Sequence, residues 1–193
     1  MGDLSEGREQ PLFDEPTSPI ARIPELRWLK SIILERALTR GDYLLSGGAR
    51  SDYYIDKFKL FSDPHVLRRI ARLFVPVVAS LNPDVIGGTE LGGVIIATAV
   101  SQMTGLPMIV VRKQPKQYGA FAEEYVEGPI NHGDHVLLLE DVVTSGRELL
   151  AAKARLEELN QKVTPYAVVS RGLAPVGSLI QFSLPRGEAK TDN

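Results

Sequence analysis

The sequence predicts an α/β fold with a mostly parallel central sheet and flanking helices. Three observations carry that expectation. Short apolar stretches at 84–87, 108–111, 136–139 and 163–169 are solid runs rather than alternations, as suits parallel strands covered on both faces. Helical patterns lie between them, so the order along the chain is β-α-β-α. Glycine- and hydroxyl-rich turns follow two of the strands, which is where an open α/β sheet gathers its ligands.

The elements follow in order. Pro24 stands at a first helical position, and Leu26, Leu29, Ile33, Leu34 and Ala37 form an apolar stripe that predicts a helix ending at Gly41. Asp63 and Pro64 open a second helix, with Val66, Ile70, Leu73, Phe74 and Val77 on one face and Pro76 expected to kink or shorten it. The strand at 84–87 leads through a glycine-rich turn into a helix over 94–103. Strands at 108–111 and 136–139 come next, then a helix over 147–160 whose apolar face is Leu149, Leu150, Ala154, Leu156 and Leu159. The strand at 163–169 closes the pattern. Residues 1–23, with Pro11, Pro16 and Pro19 among scattered charges, and residues 185–193 read as flexible tails around a domain at 24–184.

Composition narrows the function classes. The 193 residues amount to about one domain. With 22 Lys and Arg against 24 Asp and Glu, there is no basic field to recommend nucleic acid as a partner. The absence of cysteine excludes a disulfide framework, a cysteine-based zinc site and a thiol nucleophile. Apolar runs fall far short of the ~20 residues a membrane span needs. The N-terminus, with Asp3, Glu6 and Glu9, has no apolar signal core, so a cytoplasmic protein without a membrane partner is expected. His132 and His135 flank Gly133 without a third ligand nearby, so a metal held by protein side chains is not expected.

The most informative segment runs from His135 to Arg147. Four apolar residues are followed by Glu140 and Asp141, then Val142, Val143, Thr144, Ser145, Gly146 and Arg147. A helix N-terminus offers unpaired N–H groups and a positive dipole end, which suit a phosphate. Adjacent carboxylates repel phosphate but suit vicinal hydroxyls, or a Mg²⁺ carried by a substrate. One strand end can therefore hold a ribose 5-phosphate. The structural alternative is a plain strand-to-helix connection in which Thr144 or Ser145 caps the helix. The pattern resembles the motif by which type I phosphoribosyltransferases bind 5-phosphoribosyl 1-pyrophosphate (PRPP).

Three more segments sharpen the resemblance. Arg112, Lys113 and Lys116, followed by Tyr118 and Gly119 and then by Glu127 and Gly128, are similar to the catalytic loop of orotate phosphoribosyltransferases. Leu45 to Asp56, with Ser46, Gly47, Ser51, Tyr53 and Tyr54, resembles that family's N-terminal Ser-Gly-x-x-Ser-x-Tyr-Tyr-Ile-Asp signature. Gly87 to Gly93 resembles its pyrophosphate loop, and Arg171 matches the arginine it sets against the base.

The resemblance implies a type I phosphoribosyltransferase-like fold with a small N-terminal hood. It implies an enzyme of pyrimidine biosynthesis that converts orotate and PRPP to orotidine 5′-phosphate and pyrophosphate. Mg²⁺ would be carried by PRPP, and the catalytic loop would be shared across a homodimer. The implied PRPP-binding residues are Thr89, Glu90, Leu91, Gly92, Arg112, Lys113, Lys116, Tyr118, Glu140, Asp141, Val142, Val143, Thr144, Ser145, Gly146 and Arg147. Orotate would meet Tyr54, Thr144 and Arg171, and Lys113, Lys116 and Asp141 would be catalytic. Departures around Ser46 to Ser51 and Arg171 to Ala174 keep open transfer to another base, and a non-enzymatic PRPP-sensing regulator is a second alternative.

Overall fold

The computed structural model describes residues 22–45, 48, 50–115, 117, 125–172 and 174–182. Apart from Arg22 and Ile23, the expected tails lie outside the described residues, as do Ser46, Gly47, Lys116, Tyr118 and Gly119.

Helix α1 (Arg22–Ile32) runs into a π-helical turn, Ile33–Ala37, and then directly into strand β1 (Leu38–Leu44). This corrects the expectation of one helix reaching Gly41, which lies inside β1. The wide turn changes the phase of the apolar stripe, so Ile33 and Ala37 are buried while Leu34 is exposed. β1 pairs antiparallel with β2 (Arg50–Ile55), and the pairing supplies the backbone partners that a longer helix would have used. After a short helix α2 (Phe58–Phe61), α3 (Pro64–Leu81) starts on Asp63, whose carboxylate accepts the N–H groups of His65 at 2.9 Å and Val66 at 3.3 Å. A cap of this kind contributes about 1 kcal/mol. Pro76 does not shorten α3, which continues to Leu81 and closes with Asn82 in the left-handed conformation.

The remaining elements are β3 (Val85–Thr89), α4 (Gly92–Thr104), β4 (Met108–Val111), β5 (Val126–Glu127), β6 (His135–Val143), α5 (Arg147–Glu158), β7 (Lys162–Ser170) and β8 (Gly177–Gln181). They form a six-stranded sheet in the order β5-β4-β3-β6-β7-β8, parallel except for the β4–β5 edge pair. β6 shows why its sequence lacks alternation. Leu137 and Leu139 pack with Phe74, Ile70 and Ile96 on one face, and Val136 and Leu138 with Ile109, Leu149 and Leu156 on the other.

β6 is also longer than its apolar run. It stays paired with β7 as far as Val143 opposite Ser170, so Glu140 and Asp141 lie within the strand rather than beyond it. Edge strands β5 and β8 had no signal in the sequence reading, being short and only partly buried. Because β3, β4, β6 and β7 run parallel, their carboxyl ends open at one edge of the sheet. Among the described residues no helix is long and apolar enough to cross a membrane.

Candidate active site

That edge brings together most of the expected residues. Glu140 and Asp141 are only 8 % and 3 % exposed, unusual for carboxylates. Thr89 Oγ1 donates to Glu140 Oε2 at 2.5 Å, and the Asp141 N–H donates to Glu140 Oε1 at 3.0 Å. Burial, and then the charge of Asp141, push the Glu140 carboxyl up to about 7. Asp141 Oδ1 accepts from the Val142 N–H. Its Oδ2 is buried and meets the Lys57 ammonium at 2.6 Å.

Gly92, at the start of α4, explains its own identity. A Cβ there would sit 1.6 Å from Asp141 Oδ2, so no larger residue leaves the carboxylate in place. A Cβ on Gly93 would lie 2.3 Å from the Leu139 carbonyl oxygen. The 89–92 loop is thus pressed onto the acid pair by backbone contact. Leu91 projects outward and is 61 % exposed.

The turn after β6 departs from the capping arrangement that a plain connection would use. Neither Thr144 nor Ser145 caps α5. Gly146 takes the N-cap position with φ +76, and no side chain caps the helix. The hydroxyls of Thr144 (half-buried) and Ser145 (exposed) make no hydrogen bond among the described residues. The first N–H groups of any α-helix lack intrahelical partners, so this turn is open to an anion. Val142 and Val143 belong to β6, and Arg147 is the exposed first residue of α5.

The described cations after β4 are tethered. Arg112 donates to Glu127 at 2.8 Å and lies 3.7 Å from Glu90, so Glu90 faces the Arg112 ion cluster. Lys113 pairs with Glu148 in the first turn of α5, beside the open turn, while its N–H donates to Glu90 at 3.1 Å. Lys116 and Tyr118 lie outside the described residues.

Arg171, just past β7, donates from Nε to the Tyr53 hydroxyl at 2.8 Å and from a terminal nitrogen to Ser51 Oγ at 2.8 Å. Its guanidinium lies 3.9 Å from the centre of the Tyr53 ring. The hood thus reaches Arg171 through Tyr53 and Ser51. Tyr54 points to the other face of β2, is half-exposed, and lies 5.6 Å ring to ring from Tyr43.

Lys57 is the residue the sequence reading missed. It follows β2 and stands among Asp141, Glu140 and Tyr54. Burial alone would lower its pKa, but attraction to Asp141 and Glu140 outweighs burial and raises it. Nothing near Lys57 in the chain signals this contact. His135 donates or accepts through Nε2 with Thr164 at 2.8 Å at the opposite end of β6, away from the site.

Comparison with known proteins bears on the family and the fold. The family profile of the phosphoribosyl transferase domain matches residues 59–175. An orotate phosphoribosyltransferase of Thermococcus gammatolerans is 41 % identical over 145 residues, 74 % of this chain and 76 % of that one. Two crystal structures align closely. The orotate phosphoribosyltransferase of Mycobacterium tuberculosis H37Rv has a TM-score of 0.69 at 26 % identity, over 82 % of this chain and 97 % of that one. That of Aeropyrum pernix has a TM-score of 0.67 at 26 % identity, over 80 % and 93 %.

Proposed function

The chain belongs to the orotate phosphoribosyltransferase family, and on that premise we propose that Glu140, Asp141 and the 144–147 turn hold the ribose 5-phosphate of PRPP for transfer to orotate. The protein is a pentosyltransferase, converting orotate and PRPP to orotidine 5′-phosphate and pyrophosphate. One observation supports the site assignment above the rest: a buried carboxylate pair stands next to an uncapped helix start on a single strand end. The acids take the ribose hydroxyls and the turn takes the 5-phosphate.

The base nitrogen attacks the anomeric carbon and gives up its N–H proton, the C–O bond to pyrophosphate breaks with the bonding pair and the proton leaving on the pyrophosphate, and the sugar passes through an oxocarbenium-like state. No protein nucleophile is required. The protein contributes positioning, charge neutralisation and exclusion of water. Thr89 holds Glu140, Gly92 allows the loop to meet Asp141, and the 89–92 loop lines the leaving group. Arg112, Lys113 and Lys116 supply positive charge to it, with Tyr118 beside them, and Lys113 exchanges Glu148 for the departing anion. Arg171 pairs the orotate carboxylate, with Thr144 and Tyr54 near the base.

Among the described residues no cluster of three or more His, Asp or Glu could hold a metal by itself. The donor set still fits a Mg²⁺ brought by PRPP, because Glu140 and Asp141 are hard oxygen donors, and the ion would compete with the Lys57 ammonium, which meets Asp141 Oδ2 at 2.6 Å. When bound, that ion would offset the charge of the leaving pyrophosphate. We extend the reading to a cytoplasmic homodimer in which the 112–119 loop serves the neighbouring site, with residues 24–184 as the catalytic domain.

The test is incubation with PRPP, Mg²⁺ and a panel of bases, with pyrophosphate release as the readout. A site that pairs a charged group rejects the analogue without it, since the arginine would be left desolvated. Orotate is expected to exceed uracil by at least ~10³ in kcat/KM, and Arg171→Ala to shrink that gap by losing orotate. Turnover of another base without orotate would reassign the pocket and leave the PRPP site standing.

A further inference from the structure

We propose that Lys57 binds the diphosphate of PRPP directly, as a cation that the N-terminal hairpin unit delivers to a loop with none of its own. The proposal rests on the reading of Glu140 and Asp141 as the ribose seat. The 89–92 loop consists of Thr89, Glu90, Leu91 and Gly92, so it brings one carboxylate and no positive charge. Its Glu90 is engaged with Arg112, and Leu91 points to solvent. Arg112 and Lys113, the described cations after β4, are each held by carboxylates, Arg112 by Glu127 and Lys113 by Glu148.

Lys57 has a different setting. Its ammonium meets Asp141 Oδ2 at 2.6 Å, on the same oxygen that abuts Gly92. The cation therefore sits where the 89–92 loop meets the ribose acids, between the places assigned to the diol and to the leaving group. The ammonium lies within hydrogen-bond distance of Oδ2, so an incoming ribose hydroxyl competes for that oxygen and frees the cation to move towards the diphosphate. When the diol takes Asp141, a diphosphate of several negative charges arrives beside two carboxylates. The Lys57 stem is partly exposed, with four rotatable methylene bonds to carry the ammonium across. A purely structural ion pair joining the hairpin unit to the sheet would make no distinction between ligands with and without a diphosphate.

That distinction is the experiment. Full-length wild type, Lys57→Gln and Lys57→Arg are titrated calorimetrically with PRPP and Mg²⁺, with inorganic pyrophosphate and Mg²⁺, and with orotidine 5′-phosphate, which keeps the ribose and 5-phosphate but lacks the diphosphate. Lys57→Gln is expected to weaken PRPP and pyrophosphate by roughly tenfold or more and orotidine 5′-phosphate by less than twofold, with Lys57→Arg restoring most of the loss. A loss for orotidine 5′-phosphate as large as that for PRPP would overturn the proposal, because Lys57 would then act by placing Asp141. Unchanged binding of all three would overturn it in favour of a structural ion pair. Should Lys57→Gln fail to fold, Lys57→Met decides by the same comparison: a loss confined to PRPP and pyrophosphate supports the charge contact, and a loss shared with orotidine 5′-phosphate, or no loss, overturns it. Failure of wild type to bind either PRPP or orotidine 5′-phosphate would remove the ribose-seat reading itself, and this proposal with it.

Discussion

Glu140 illustrates how much a single position is asked to do. Its carboxyl is buried beside Asp141, and burial followed by that neighbouring charge pushes its pKa from 4.5 to about 7. Thr89 Oγ1 and the Asp141 N–H favour the ionised form and only partly offset the shift. A carboxyl that binds its proton more tightly when folded makes the fold less stable as pH rises from its unfolded pKa through its folded one. The Tm should therefore fall between about pH 4.5 and about pH 7 from this group's contribution. Glu140→Gln, which keeps the shape without the titration, should flatten that slope. Parallel melting curves for wild type and variant across the interval would refute the assignment of the shift to Glu140.

At the scale of elements, the junction between β3 and α4 depends on glycine for space rather than for a special dihedral angle. The Gly92 Cα faces Asp141 so closely that an added Cβ would overlap Oδ2 at 1.6 Å. Gly92→Ala must push the loop off the acid pair or turn the carboxylate away. Turnover is expected to drop by roughly 10²-fold or more, mainly through kcat/KM, while far-UV circular dichroism stays close to wild type. Wild-type kinetics for Gly92→Ala would show that Asp141 is free to move and is not the ribose ligand. The sequence made the glycines of this turn visible. Which carboxylate they make room for was not visible, because Asp141 arrives from β6, a different strand of the sheet.

For the whole molecule, the proposed homodimer is tested through the loop that it would share. Lys116→Ala and Asp141→Asn would each cripple a homodimer at different parts of a composite site. Mixing the two variants should form some dimers with one intact site, so part of the activity should return. No recovery, with subunit exchange demonstrated, would mean that the 112–119 loop serves its own chain. A stability readout belongs beside the kinetics: Asp141→Asn should melt within a few degrees of wild type, since loss of the Lys57 ion pair is offset by relief of the repulsion on the buried Glu140 carboxylate.

The α/β class, the four central strands, the starts of α3 and α5 and the acid pair before a hydroxyl turn were legible in the chain itself. Each is written within about a dozen residues, as an apolar run, a cap or a turn, and local backbone chemistry reads it directly. The sequence misjudged the end of α1, because a π turn and the β1–β2 pairing overrode a helical stripe. It also placed the acids after β6, since the apolar run stops before the hydrogen-bonded ladder does. What only the tertiary structure decided are the meetings of distant segments. Arg171 reaches Tyr53 across 118 residues, Lys57 reaches Asp141, and Gly92 yields to the same carboxylate. Such contacts depend on strand order and on which face of the sheet each element covers. No local window of sequence carries that information, because the backbone pairing that sets it is made by groups common to every residue.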